Sequence, residues 1–156
     1  MFKPPTGKSG FTLIELLIVI VIIALLLGIL LPNMLGMRER ARDSRLKSEL
    51  RELKLVLEVF HEDNQGYPAD DGNGGMVGCE SGGADVVCPL GGAFEKAGIV
   101  YMPVLPEFFT YDSIAPDGFR VSWELENLSD QDAQRSQSKC GLTPDPADPT
   151  YYECAM

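Results

Sequence analysis

Residues 11–31, FTLIELLIVIVIIALLLGILL, form an apolar run with a single charge, Glu15. As a helix rising ~1.5 Å per residue, the run reaches ~30 Å, the thickness of a bilayer's hydrocarbon core. Pro32 follows, and a proline there removes one helix hydrogen bond and crowds the preceding turn. Helix formers resume at once. From Met34 to Asp63 the chain is rich in Leu, Arg, Glu and Lys. Leu46, Leu50, Leu53, Leu57 and Phe60 are spaced 4-3-4-3, which draws one apolar stripe along a helix. Asp43–Lys47, Arg45–Glu49 and Lys54–Glu58 stand one turn apart and are expected to pair on the wet faces. The pattern predicts one long helix over residues 12–62, interrupted near Pro32. Its first half is apolar all round, and its second half needs a cover for its stripe.

NQGYP (64–68) ends the helix, with Gly66 as the permissive residue and Pro68 as the stop. The glycine-rich stretch that follows, ADDGNGGMVGCESGGADVVCPLGG, is expected to be a loop. GIVYMPVLP (98–106) is broken by prolines and is at best an edge element. FFTYDSI (108–114) and GFRVSWELEN (118–127) flank the turn signal APDG. In the second of these strands Phe119, Val121, Trp123 and Leu125 alternate with Arg120, Ser122, Glu124 and Glu126. Its apolar face is the natural cover for the Leu46–Phe60 stripe. The tail, SDQDAQRSQSKCGLTPDPADPTYYECAM, is polar and proline-rich, and is expected to be a loop with little core of its own.

Charge and cysteine usage narrow the possibilities. The 156-residue chain has a formal net charge of -10, and all 23 acidic residues follow Gly10, while Lys3 and Lys8 precede it. That balance argues against nucleic acid as a partner, because phosphate contacts need clustered Lys and Arg. Residues 38–54 are locally basic, a face for anionic lipid or acidic neighbours or simply for solvent. Cys79, Cys88, Cys140 and Cys154 form an even set in a small domain beyond an apolar segment, which favours disulfides in an oxidising compartment. Zinc is the competing reading, but the chain has no CxxC pair, and the one histidine, His61, is far from all four. Four cysteines allow three pairings. The reading adopted is Cys79–Cys88 with Cys140–Cys154, the near neighbours. The resulting fold class is α+β: a long N-terminal helix, transmembrane then amphipathic, packed on a small antiparallel β-sheet with disulfide-stapled loops.

Candidates for chemistry are few. Asp70, Asp71 and Asn73 are weak candidates for a calcium loop, and their composition suits a solvated Asp/Asn/Gly turn better; no other cofactor or metal is suggested. His61 beside Glu62 and Asp63 suits the exposed end of a helix, where a cation is favoured. Tyr67, Tyr101, Tyr111, Tyr151 and Tyr152 read as packing or surface contacts. No serine or cysteine stands in a recognisable catalytic setting, so the chain does not read as an enzyme.

The N-terminal stretch KSGFTLIELLIVIVIIALLLGILLP resembles the signal and first helix of type IV prepilins and type II secretion pseudopilins. The likeness lies in the basic leader ending at Gly10, Phe11 after it, the FTLIE pentapeptide, the apolar run and Pro32. GYP after the helix, YMPVLP and LEN are similar, more loosely, to the headpieces of pilins and major pseudopilins. The two expected disulfide loops depart from many members, which carry one or none. The resemblance implies cleavage between Gly10 and Phe11 by a prepilin peptidase and methylation of the new Phe11 amine. It implies four segments: a leader (1–10), a transmembrane and assembly helix (11–32), an amphipathic half (33–63) and a globular β headpiece (64–156). The chain is then held in the cytoplasmic membrane with its N-terminus in the cytoplasm and its headpiece outside. An assembly ATPase and a platform membrane protein build it into a periplasmic or extracellular filament with copies of itself.

A carboxylate in a membrane-spanning helix is costly, ~2.5–3.5 kcal/mol at the centre, and calls for a partner. The implied cleavage creates one, since Glu15 of one subunit can meet the Phe11 ammonium of its neighbour. Gly28 and Pro32, both poor in helix interiors, are expected to let the helix loosen on packing. Three functions share this N-terminus: a pilin that polymerises into a type IV filament, the major pseudopilin of a type II secretion system, and a minor pilin serving as a binding module at a filament tip.

Overall fold

A computed structural model describes residues 10–115 and 117–155, with the backbone alone for residues 29–35. The expected leader therefore lies outside the described residues, apart from Gly10. The chain divides into two compact units, residues 1–38 and 39–156.

Helix α1 runs Leu13–Asn64 and serves both units. Helical backbone continues through position 32, where the sequence predicts an interruption. A proline deletes one donor and crowds one carbonyl, and the neighbouring hydrogen bonds hold the ladder together. In the first unit the large apolar side chains from Leu13 to Leu27 all face outward. Among the described residues, no helix is long and apolar enough to cross a membrane.

The second unit is an α+β body in which the later turns of α1 meet three small antiparallel sheets. The first joins β1 (Ala69–Asp70), β2 (Met76–Ser81) and β3 (Ala84–Val87); the second joins β4 (Phe94–Lys96) and β5 (Ile99–Met102). The third joins β6 (Thr110–Ile114), β7 (Gly118–Glu124) and β8 (Thr150–Ala155), in the order β6-β7-β8. The expected single small sheet is thus divided. Leu50, Leu53, Leu57 and Phe60 from the stripe, and Phe119, Val121 and Leu125 from β7 and its end, are all buried in one core cluster. The stripe and its predicted cover do meet. Phe60 seats the second sheet, its ring centroid 5.1 Å from those of Phe94 and Tyr101. The GIVYMPVLP segment supplies β5, which among the described residues pairs with β4 alone and stops before Pro103.

Two stretches read as loops are ordered differently. Within the glycine-rich stretch, β2 and β3 form a hairpin in which Ser81 pairs with Ala84 across Gly82 and Gly83. Both glycines have positive φ, +63° and +84°, the geometry that a tight hairpin turn matching strand twist demands. The polar tail forms α2 (Gln131–Lys139) and β8. The Asp130 side chain caps α2 by accepting from the Asp132 amide at 2.9 Å. Burial here is largely polar. Ser136 and Gln137 are buried, and they serve the outer edge of β8. Ser136 Oγ accepts the Tyr152 N–H at 3.0 Å, while Gln137 Nε2 donates to the carbonyls of Asp148 (3.1 Å) and Thr150 (3.4 Å). Gln137 Oε1 takes the Asp145 amide at 2.8 Å. A helix held by such polar contacts carries no apolar stripe in its sequence.

Candidate functional site

Phe11, the residue after Gly10, is 84 % exposed, and α1 begins two residues later. Thr12 and Glu15 form a reciprocal cap at that start. Thr12 Oγ1 accepts the Glu15 amide at 3.3 Å, while Glu15 Oε2 accepts the Thr12 amide at 2.9 Å and the Thr12 hydroxyl at 2.7 Å. This is a capping box, the T-x-x-E pattern that satisfies orphan donors of a first helical turn from both sides. Thr12 is a functional residue beyond those the sequence reading names, and the TLIE spacing is its signal. Only one carboxylate oxygen is engaged. Oε1 of Glu15 accepts no hydrogen bond among the described residues. Gly28 has open space where a Cβ would stand, and Pro32 lies among the residues with only the backbone described.

In the second unit, polar groups of α1 tie the helix to the segment after β7. Asp43 is fully buried, and its two oxygens accept the amides of Glu126 and Asn127, each at 2.9 Å. Lys47 Nζ donates to Asp130 Oδ2 and Asp132 Oδ2, both at 2.8 Å. Asp43 and Lys47 therefore turn inward to separate partners and do not pair on a wet face. Long-range acceptors and donors outcompete a local pair worth a few tenths of a kcal/mol. Of the three expected pairs, Arg45–Glu49 forms, at 2.7 Å. Arg42 grips Glu126, with Nε 2.8 Å from Oε1. The Lys47 ammonium is destabilised by burial, but the hydrogen bonds it donates to Asp130 and Asp132 outweigh this and raise its pKa. The hydrogen bond from Lys47 holds the Asp132 carboxyl below its ordinary value, and Arg42 does the same for Glu126.

Disulfides join Cys79 to Cys88 and Cys140 to Cys154, with Cα separations of 5.1 and 5.8 Å. The first lies within the first sheet's strands and their margin; the second ties the end of α2 to β8. Asp70 and Asp71 are occupied as backbone acceptors. Asp70 Oδ1 takes the Gly72 amide at 2.8 Å and Oδ2 the Ser113 amide at 3.1 Å. Asp71 Oδ1 takes the amides of Asn73 (2.8 Å) and Gly75 (2.7 Å). His61 is not on a free helix end: its Nε2 is 2.7 Å from Asp117 Oδ2, and its ring packs 4.5 Å from that of Tyr67. Tyr111 is buried and donates to the Pro68 carbonyl at 2.7 Å, a packing role. Trp123 packs 5.3 Å from Phe108, and its indole N–H is shielded and without a partner among the described residues.

The chain combines a capped apolar helix start with an α+β body of small antiparallel sheets, and comparisons with known proteins place that combination. Residues 6–31 match the family described as the prokaryotic N-terminal methylation motif. Over 125 residues the chain is 32% identical to the type II secretion system core protein G of Escherichia coli, covering 71% of this chain and 83% of that protein. It is 42% identical over 80 residues to the type IV wide pilus major component PilA4 of Thermus thermophilus, covering 51% of this chain and 61% of PilA4. The core protein G of Aeromonas hydrophila is 36% identical over 64 residues, 41% of this chain and 45% of that protein. No solved structure matches significantly. The chain belongs to the prepilin and pseudopilin family.

Proposed function

We propose that this chain is a structural subunit, cut between Gly10 and Phe11, methylated on Phe11 and polymerised into a type IV pilus-like filament. The observation that carries the reading is the motif over residues 6–31 with its single carboxylate, Glu15, fixed at the helix start. Residues 11–32 anchor the subunit in the cytoplasmic membrane before assembly, and residues 33–156 stand outside it. In the filament, the unengaged Oε1 of Glu15 receives the Phe11 ammonium of a neighbour, and the Thr12 cap on Oε2 is retained. Such a pair in a low-dielectric bundle sets register more than it adds stability. A prepilin peptidase, an assembly ATPase and a platform membrane protein act on the subunit, whose own work is polymerisation and not catalysis.

A second reading, the major pseudopilin of a type II secretion system, is favoured by the reach of the likeness. The match to the E. coli core protein G covers 83% of that protein and so extends into the headpiece, whereas the match to PilA4 covers 61%. Mass spectrometry of the mature protein tests what both readings share: the expected terminus is methylated Phe11, and an intact Met1 on a working subunit overturns it. Deleting the gene then separates them. Loss of surface pili supports the first, and loss of exoprotein release with pili intact supports the second.

A further inference from the structure

Charge is segregated along the chain. Residues 38–54 hold 7 basic and 4 acidic side chains, whereas residues 55–156 hold 4 and 18. Headpieces of this composition repel one another unless a basic element of one copy meets an acidic surface of the next. The structure holds a matching pair of surfaces. On the second unit, Leu55 and Val59 of α1 and Ile99 and Val100 of β5, each about half exposed or more, line a shallow groove of about 280 Å³. Glu52 and Asp63 also line it, one from each end of that stretch of α1, and both are exposed and in no ion pair among the described residues. The apolar floor excludes a hydrated ion, and the acidic ends reject an acidic guest.

Met37 is the complementary knob. It is 66 % exposed and flanked by Arg38 and Arg40, both exposed and in no ion pair among the described residues. At 3.6 residues per turn, Arg38 lies ~100° to one side of Met37 and Arg40 ~60° to the other, so the thioether projects between two guanidinium groups. An unbranched, polarizable side chain suits an irregular shallow groove. Resting on the polymerisation reading above, we propose that the groove between Leu55, Val59, Ile99 and Val100 receives Met37 of a second copy of this chain, with that copy's Arg38 and Arg40 on Asp63 and Glu52. The contact joins two different surfaces, and repeated head-to-tail contacts of this kind build an open helical filament, not a closed dimer.

Charge exchange in the full-length chain tests this. Filaments are sheared from cells and quantified by sedimentation against total subunit, with circular dichroism of each purified variant as a check on folding. Arg38→Glu with Arg40→Glu, and separately Glu52→Arg with Asp63→Arg, are each expected to lower the polymerised fraction about tenfold or more, since like charges face each other across the contact. All four changes together are expected to restore most of it. Met37→Glu, remote from the headpiece core, is expected to fail alone. Normal polymerisation by either double variant, or no recovery in the quadruple one, overturns the contact while filaments of the unaltered chain uphold the polymerisation reading. Absence of filaments from the unaltered chain overturns both. Binding of the purified chain to phosphatidylglycerol vesicles, lost in Arg38→Glu with Arg40→Glu without recovery in the quadruple variant, assigns the arginines to lipid phosphates and also overturns the contact.

Discussion

Asp43 on α1 accepts the backbone N–H of Asn127 at 2.9 Å across 84 residues of sequence, and its other oxygen holds the preceding amide. Two backbone donors of the segment after β7 thus depend on one buried carboxylate. Asp43→Ala leaves both unpaired, and the expected loss is about 2–4 kcal/mol of unfolding free energy. Asp43→Asn keeps one carbonyl acceptor and is expected to cost about 1 kcal/mol. Urea unfolding of the purified chain in detergent checks the order. Equal stability of Asp43→Ala and the unaltered chain overturns the assignment.

The charged contacts beside that carboxylate give the headpiece a stability plateau bounded in pH. Hydrogen bonding from Lys47 depresses the Asp132 carboxyl, so its contribution is present above the unfolded carboxyl value and is lost as pH falls through the lower folded one. At the alkaline end Tyr151 is pushed up to about 12 from 10.0, first by burial and then by its bond to Glu153. Its contribution is complete below pH 10.0 and is lost as pH rises towards about 12. Lys47, also raised, fades over the same alkaline side. Thermal unfolding followed from pH 2 to 12 should show a flat centre and falling flanks; Tyr151→Phe should make the alkaline flank shallower.

The disulfide Cys140–Cys154 closes a loop with a sequence separation of 14. Chain entropy puts its contribution at about 3 kcal/mol. Cys140→Ser with Cys154→Ser is expected to lower stability by roughly that amount and to raise hydrogen exchange across α2 and β8 before the rest of the headpiece. Uniform exchange across the headpiece in that variant counts against a local staple.

Removing the cap hydroxyl separates the observed cap at Glu15 from the proposed pairing with a neighbouring Phe11. Thr12→Val is expected to cost the first turn of α1 about 1 kcal/mol while leaving the carboxylate to pair with a neighbour. Glu15→Ala removes both roles. The polymerised fraction, measured after sedimentation, should therefore fall modestly in the first variant and nearly completely in the second, with leader removal intact in both. Filaments at normal yield from Glu15→Ala overturn the assembly role.

The parts legible in the sequence are those governed by periodicity. The stripe from Leu46 to Phe60 and the alternation of Phe119 and Val121 each announce a buried face, and the two faces meet from Leu50 onward, while Leu46 stays half-buried at the margin. The capping box is equally legible in TLIE, where Thr12 and Glu15 have the T-x-x-E spacing. What periodicity cannot display is polar burial. Asp43 and Lys47 have the spacing of a surface pair, and only the fold reveals acceptors and donors that lie more than 80 residues away. Ser136 and Gln137 look like solvated tail residues for the same reason. Paired glycines mislead in the opposite direction, because Gly82 and Gly83 suggest a slack loop yet supply the positive φ that closes a hairpin.

The contacts of Ser136 and Gln137 with β8 have a consequence for crowding. A C-terminal strand with open amides is a template for a foreign strand, and subunits arrayed along a filament present such templates at high local density. Here Tyr152 N–H and the Thr150 carbonyl are already engaged by side chains of the same chain. Two of the backbone groups that a foreign strand would need at this edge are already taken, which disfavours annealing of neighbouring copies through β8.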